Sequence, residues 1–124
     1  MKLLKKNFEK GIAQIKLENA DDLWYLSHLI DPNDEVEGVT ERKIKLGGDS
    51  DRNQKIIKKH VFLKINVEKI EFHKYSNHLR ISGKIKEGTE DISAGSYHTF
   101  DLEEGKTITI KKEKFRTYQI EKIK

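Results

Sequence analysis

Val61, Leu63, Ile65 and Val67 alternate without a break, and the apolar pattern then resumes at Ile70 and Phe72 on the opposite parity. A strand sends successive side chains to opposite faces, so an unbroken ladder would turn Ile70 and Phe72 away from the core that takes Val61 to Val67. One extra residue at Glu68 or Lys69, a β-bulge, keeps both halves on one core and bends the strand sharply, as small barrels require. The rest of the chain has to be built around that bent strand.

Its neighbours read as further strands. Leu3 to Phe8 and Ile12 to Leu17 flank Glu9, Lys10 and Gly11 as an opening hairpin, with Ala13, Ile15 and Leu17 on one face. Asn19 is a helix N-cap, Asp21 and Asp22 occupy the first turn, where the helix dipole favours anions, and Leu23, Leu26 and Ile30 follow at helical spacing until Asp31 before Pro32 ends the run. From Val36 to Leu46 the even positions face inward, Arg42 among them, while Glu35, Glu37, Glu41, Lys43 and Lys45 face out. Gly47 to Gln54 has no apolar residue and reads as a mobile exposed loop. Leu79 to Ile85 pairs back after a turn around Ser76 and Asn77, and Tyr97 to Leu102 and Thr107 to Lys112 are the last strands, around a turn at Glu103 to Gly105. The expected fold class is all-β with one short helix, a small antiparallel β-barrel. The barrel domain is expected over residues 1–113, with 114–124 as the start of a linker or a loosely packed tail.

At 124 residues the chain holds one modest core, and with 37% charged against 35% hydrophobic residues much of it lies at a solvated surface. Twenty-five Lys and Arg against 21 Asp and Glu leave a net charge of +4, which favours an anionic partner. Cysteine is absent, so there is no disulfide framework and no thiolate metal site, and the reducing cytoplasm is the expected compartment. No apolar run approaches the roughly 20 residues needed to span a bilayer, so no membrane partner is expected.

Three motifs carry candidate chemistry. Thr40 to Lys43, TERK, puts Arg42 and Lys43 on opposite faces of the strand entering the glycine loop, and Arg52, Lys55, Lys58, Lys59 and His60 follow it. These cations form a candidate phosphate-binding footprint, salt-dependent and blind to base identity, with a merely solvated lysine-rich face as the alternative. Gly95 to Glu103, GSYHTFDLE, offers His98 as a proton shuttle, but no serine or cysteine has the setting of an activated nucleophile, so packing or backbone hydrogen bonding is the expected role. Ala20 to Trp24, ADDLW, is a capped helix whose Leu23 and Trp24 would close one end of the barrel. The five histidines lack zinc spacing and no nucleotide-binding glycine loop occurs. Phe62, Phe72, Tyr75 and Tyr97 are dispersed, with Phe62 and Phe72 expected to be buried, so base stacking is not the obvious mode of binding.

Taken together, ADDLW, TERK, GSYHTFDLE, the VEKIEF of Val67 to Phe72 and the LRISG of Leu79 to Gly83 resemble, in order, the amino-terminal domain of the Pelota family of ribosome-rescue factors. One departure is Asp31, Pro32, Asn33 and Asp34, where the family often has Gly-Asp. The resemblance implies an Sm or SH3-like barrel and a module, non-enzymatic and expected to be monomeric, that enters the decoding site of stalled ribosomes and supports ribosome dissociation and RNA surveillance. Its partners would be the small subunit with its rRNA and mRNA and, through the full-length protein, a translational GTPase. Arg42, Lys43, Arg52, Lys55, Lys58 and Lys59 would meet phosphates, Gly47, Gly48 and Ser50 would let the loop conform to a groove, and Lys84 and Lys86, in the turn beyond Ile81, would be secondary contacts. No cofactor is expected. The alternatives are a divalent-metal endoribonuclease acting on the mRNA of stalled ribosomes, with Asp49 and Asp51 as the candidate carboxylates, and an Sm-like scaffold that oligomerises through its edges.

Overall fold

The structure, a computed structural model, describes residues 1–46, 55–87 and 95–123. Among these residues seven strands form one antiparallel sheet: β1 (Lys2–Asn7), β2 (Ile12–Lys16), β3 (Glu35–Leu46), β4 (Lys55–His73), β5 (His78–Glu87), β6 (Tyr97–Leu102) and β7 (Thr107–Lys111). The spatial order is β1-β2-β7-β3-β4-β5-β6. Thus β6 and β7, consecutive in the chain, are not partners: β6 adds to β5, and β7 inserts between β2 and β3. Gly105 N–H donates to the Leu17 carbonyl at 2.7 Å and Leu17 N–H to that of Lys106 at 2.8 Å, which steers the chain away from a hairpin turn and toward β2.

The parity slip in β4 is a bulge. Val67 pairs with Gly83 and Lys69 with Ser82, leaving Glu68 as the extra residue, so Val61, Leu63, Ile65 and Val67 are buried and Ile70 and Phe72 still pack against the core. Gly83 makes this possible, since a Cβ there would stand 1.8 Å from the Asn66 carbonyl oxygen. The N–H and C=O of Val67 pair with Asp34 and Asn33, each at 2.8 Å, which fixes the bend to the turn that precedes β3.

Helix α1 (Ala20–Leu29) starts where its cap requires: Asn19 Oδ1 accepts from Asp22 N–H at 3.1 Å, and the Asp22 carboxylate accepts from the N–H groups of Glu18 and Asn19. The Met1 ammonium lies 2.7 Å from the same carboxylate. Leu23 is buried but Trp24 is 47% exposed, so of the expected pair only Leu23 closes over the core. Trp24 instead meets Tyr25 edge-on and the tilted ring of His28 on the helix surface.

The expected loose packing of the carboxy-terminal segment is corrected too. A second helix, α2 (Thr117–Ile123), follows β7, and Phe115 and Ile123 are buried in the common core, with Phe8 edge-on to Phe115. Lys112 is buried as well: its ammonium donates to the Leu29 carbonyl at 2.8 Å, to Asp31 at 3.0 Å and to Asp34. That cation accounts for the acidic Asp31 to Asp34 turn. No helix among the described residues is long and apolar enough to cross a membrane.

Candidate nucleic-acid interface

The two longest strands make one hairpin whose far half stands apart from the sheet. β7 pairs with β3 only over Glu35 to Glu37, and β5 pairs with β4 only from Lys64 onward. Between Val39↔Phe62 and Leu46↔Lys55, β3 and β4 pair with each other alone among the described residues. Eight residues at ~3.3 Å each make an arm about 26 Å long. Where it leaves the body, Val61 is buried beneath it and Thr40 Oγ1 lies 3.0 Å from Nε2 of His98 on β6.

The arm's register is the electrostatic finding. Glu37 opposes Lys64, Val39 opposes Phe62, Glu41 opposes His60, and then Lys43 opposes Lys58 and Arg42 opposes Lys59. On the first of these rungs Lys64 lies 3.5 Å from Glu37, a complementary charge pair, and on the third His60 Nε2 lies 3.4 Å from Glu41. The last two make cationic residues cross-strand partners in the backbone register. Lys58 is exposed. Sequence spacing brought these residues to one loop; only the register discloses that they face one another.

The other expected contacts are distributed differently. Gly47, Gly48, Asp49, Ser50, Asp51 and Arg52 lie outside the described residues, and Lys55 begins β4 opposite Leu46. Lys84 and Lys86 are not in a turn but within β5. Lys84 pairs in register with Asn66, seven residues along β4 from Lys59 and so roughly 23 Å from it. Lys84 lies over the Tyr97 ring at 5.9 Å. Lys86 is hydrogen-bonded to Glu35, a bond that holds the Glu35 carboxyl below the usual carboxylate range and raises the Lys86 ammonium above its own. A phosphate would have to displace that carboxylate.

His98 is buried, bonded to Thr40 and edge-on to Phe100 at 5.3 Å, so it joins β6 to the root of the arm as a packing residue. Thr40 of TERK and His98 of GSYHT, 58 residues apart in sequence, thus form one contact. Phe62, expected in the core, is 53% exposed beside Val39 at 65%. The strand's own alternation required this, since Val61 and Leu63 on either side face inward. Among the described residues no three His, Asp or Glu side chains cluster as metal ligands.

Comparison with known proteins agrees with the architecture. All 124 residues match the family model described as the Pelota N-terminal domain. The chain is 43% identical over 125 residues to the pelota homolog of Pyrococcus horikoshii, covering 100% of this chain and 35% of that protein, and 46% identical over 112 residues to that of Methanococcus vannielii, covering 90% and 32%. The chain thus spans about a third of the length of the curated relatives it matches. Among solved structures, a ribosome-bound archaeal Pelota with ABCE1 superimposes with a TM-score of 0.81 at 40% identity, covering 100% of this chain and 35% of that one. Archaeoglobus fulgidus Pelota gives 0.71 at 32%, covering 99% and 32%. Dom34 of S. cerevisiae, a termination-like factor in RNA quality control that interacts with Hbs1, gives 0.74 at 23%, covering 98% and 32%, a likeness of fold. With its whole length matched by that model and a sheet shared with solved Pelota proteins, the chain belongs to the Pelota N-terminal domain family.

Proposed function

We propose that this domain is the RNA- and ribosome-binding module of a Pelota-type rescue factor, and that the β3–β4 arm is the part it inserts into the decoding region of a stalled small subunit. The observation that carries this reading is the pair of cationic rungs, Arg42 opposite Lys59 and Lys43 opposite Lys58. Their repulsion is relieved when phosphates lie against the arm, a salt-dependent interaction that needs no catalytic group. The likeness to a ribosome-bound archaeal Pelota supports the ribosome as the partner. In this reading Gly47, Gly48, Ser50, Arg52 and Lys55 complete the contact surface, Lys84 is a secondary contact on the body, and Lys86 stays with Glu35. A translational GTPase would act through the rest of the protein, in the cytoplasm, with the domain itself monomeric.

The reading extends to the body of the domain. The contact between Thr40 of β3 and His98 of β6, reaching past two intervening strands, supports a sheet curled into a small barrel of the Sm or SH3-like kind. Residues 1–113 would be that unit and 114–124 the segment leading onward, docked through Phe115 and Ile123.

The test is the salt dependence of binding to isolated small subunits. Replacing Arg42, Lys43, Lys58 and Lys59 with Gln together is expected to weaken binding and to flatten the plot of log affinity against log salt by about 0.7 to 0.9 for each phosphate that is no longer neutralised. Unchanged affinity and slope would remove the arm from the interface.

A further inference from the structure

We infer that the Val39–Phe62 rung at the root of the arm is a platform for an unpaired RNA base, so that the domain grips single-stranded RNA by stacking as well as by charge. The inference rests on the RNA-binding reading above and specifies which form of RNA it takes. Two apolar side chains directly opposed on a solvated sheet face are 65% and 53% exposed, while their strand neighbours Val61 and Leu63 are buried. They floor a cleft of about 310 Å³, inside the ~300–1,000 Å³ range of small-ligand sites.

The walls of the cleft match a nucleotide. Gln14 and Thr109, paired in register on β2 and β7, and Thr107 line the cleft with amide and hydroxyl groups of the kind that hydrogen-bond a base edge, and Lys106, also lining it, is exposed. Phe62 contributes the π-face that any base accepts, and Val39 widens the platform. Of the carboxylates beside the platform, Glu37 is paired with the Lys64 ammonium and Glu41 lies 3.4 Å from the His60 ring, so neither stands alone against an incoming backbone. One rung beyond His60 the cationic part of the arm begins. A single strand running along the arm would meet charge at its outer half and a stacking surface at its root. A duplex, with its bases turned inward, gains only the first.

Equilibrium binding of the 124-residue chain to fluorescein-labelled 12-mers separates these terms: oligo(A), an abasic ribose-phosphate strand of the same length, and a 12-base-pair RNA duplex. The native protein is expected to bind oligo(A) roughly tenfold more tightly than the abasic strand, as one stacked base contributes. Phe62→Ala should remove that difference and leave the affinity for the abasic strand and the duplex unchanged. Phe62→Trp should restore it, with quenching of the new indole by oligo(A), and far-ultraviolet circular dichroism checks that both variants keep the sheet. Equal affinity for oligo(A) and the abasic strand, or a Phe62→Ala protein that still prefers oligo(A), overturns the platform while leaving the charge-based reading intact. Failure of all three RNAs to bind overturns both.

Discussion

Lys112 has only 5% of its side chain exposed and binds a helix carbonyl and two carboxylates, Asp31 and Asp34, that lie 81 and 78 residues earlier in the chain. Removing one member of a buried ion pair costs about 3–5 kcal/mol because the remaining charges keep their desolvation penalty. Asp31 is 64% exposed and can return to water, which selects the lower end. Lys112→Met is therefore expected to lose about 3 kcal/mol, read as a lower urea midpoint at an unchanged slope. Asp22 is the acidic counterpart. Burial pushes its carboxyl up, but the Met1 ammonium and the N–H groups of Glu18 and Asn19 donate to it and outweigh burial, leaving it below its ordinary 3.8. A depressed folded value means that its stabilisation is complete above 3.8 and is lost as pH falls through the lower folded value. Asp22→Ala leaves the buried Met1 ammonium without its carboxylate and should cost about 3 kcal/mol at pH 7, and thermal melts of the two proteins should converge in acid below the ordinary carboxylate range.

At the scale of elements, the bend in β4 depends on one absent side chain. A Cβ on Gly83 would sit 1.8 Å from the Asn66 oxygen, and backbone cannot retreat there without breaking the β4–β5 ladder. Gly83→Ala is expected to destabilise by about 3 kcal/mol, measured by denaturant unfolding, whereas the same change at Gly105, with nothing within 4 Å of the added carbon, meets no clash and costs only the strain of its left-handed φ of +89°. The bulge was legible in the sequence because parity is a local property of a strand, and so was the Asn19 cap, whose partners lie within four residues. Helix α2 was not: Phe115, Ile120 and Ile123 offer too short a pattern, and a seven-residue helix owes its stability to tertiary packing that spacing does not reveal. The parting of β7 from β6, to lie between β2 and β3, was hidden for the same reason. Phe62 was misplaced by residue type, although the strand's alternation already turned it outward.

For the molecule as a whole, the arm sets stability and binding against each other. Arg42 pairs with Lys59 and Lys43 with Lys58 in the backbone register of a hairpin that has no third strand beside it among the described residues, and on the proposed reading such like-charged partners cost the free domain stability. This juxtaposition could not be read from the run of cations in the sequence, because the pairing register depends on how many residues the connecting loop consumes. An anionic partner reverses the sign of the effect. Replacing Lys58 alone with Gln should raise the thermal midpoint of the free domain and at the same time weaken its binding to small subunits. Both differences should fade as salt is raised toward 1 M, where screening acts over about 3 Å. Melting and binding measured in the same salt series check the coupling. A lower midpoint with unchanged binding would instead make Lys58 part of the fold, whereas opposed and salt-sensitive shifts are what a surface shaped for a polyanion produces.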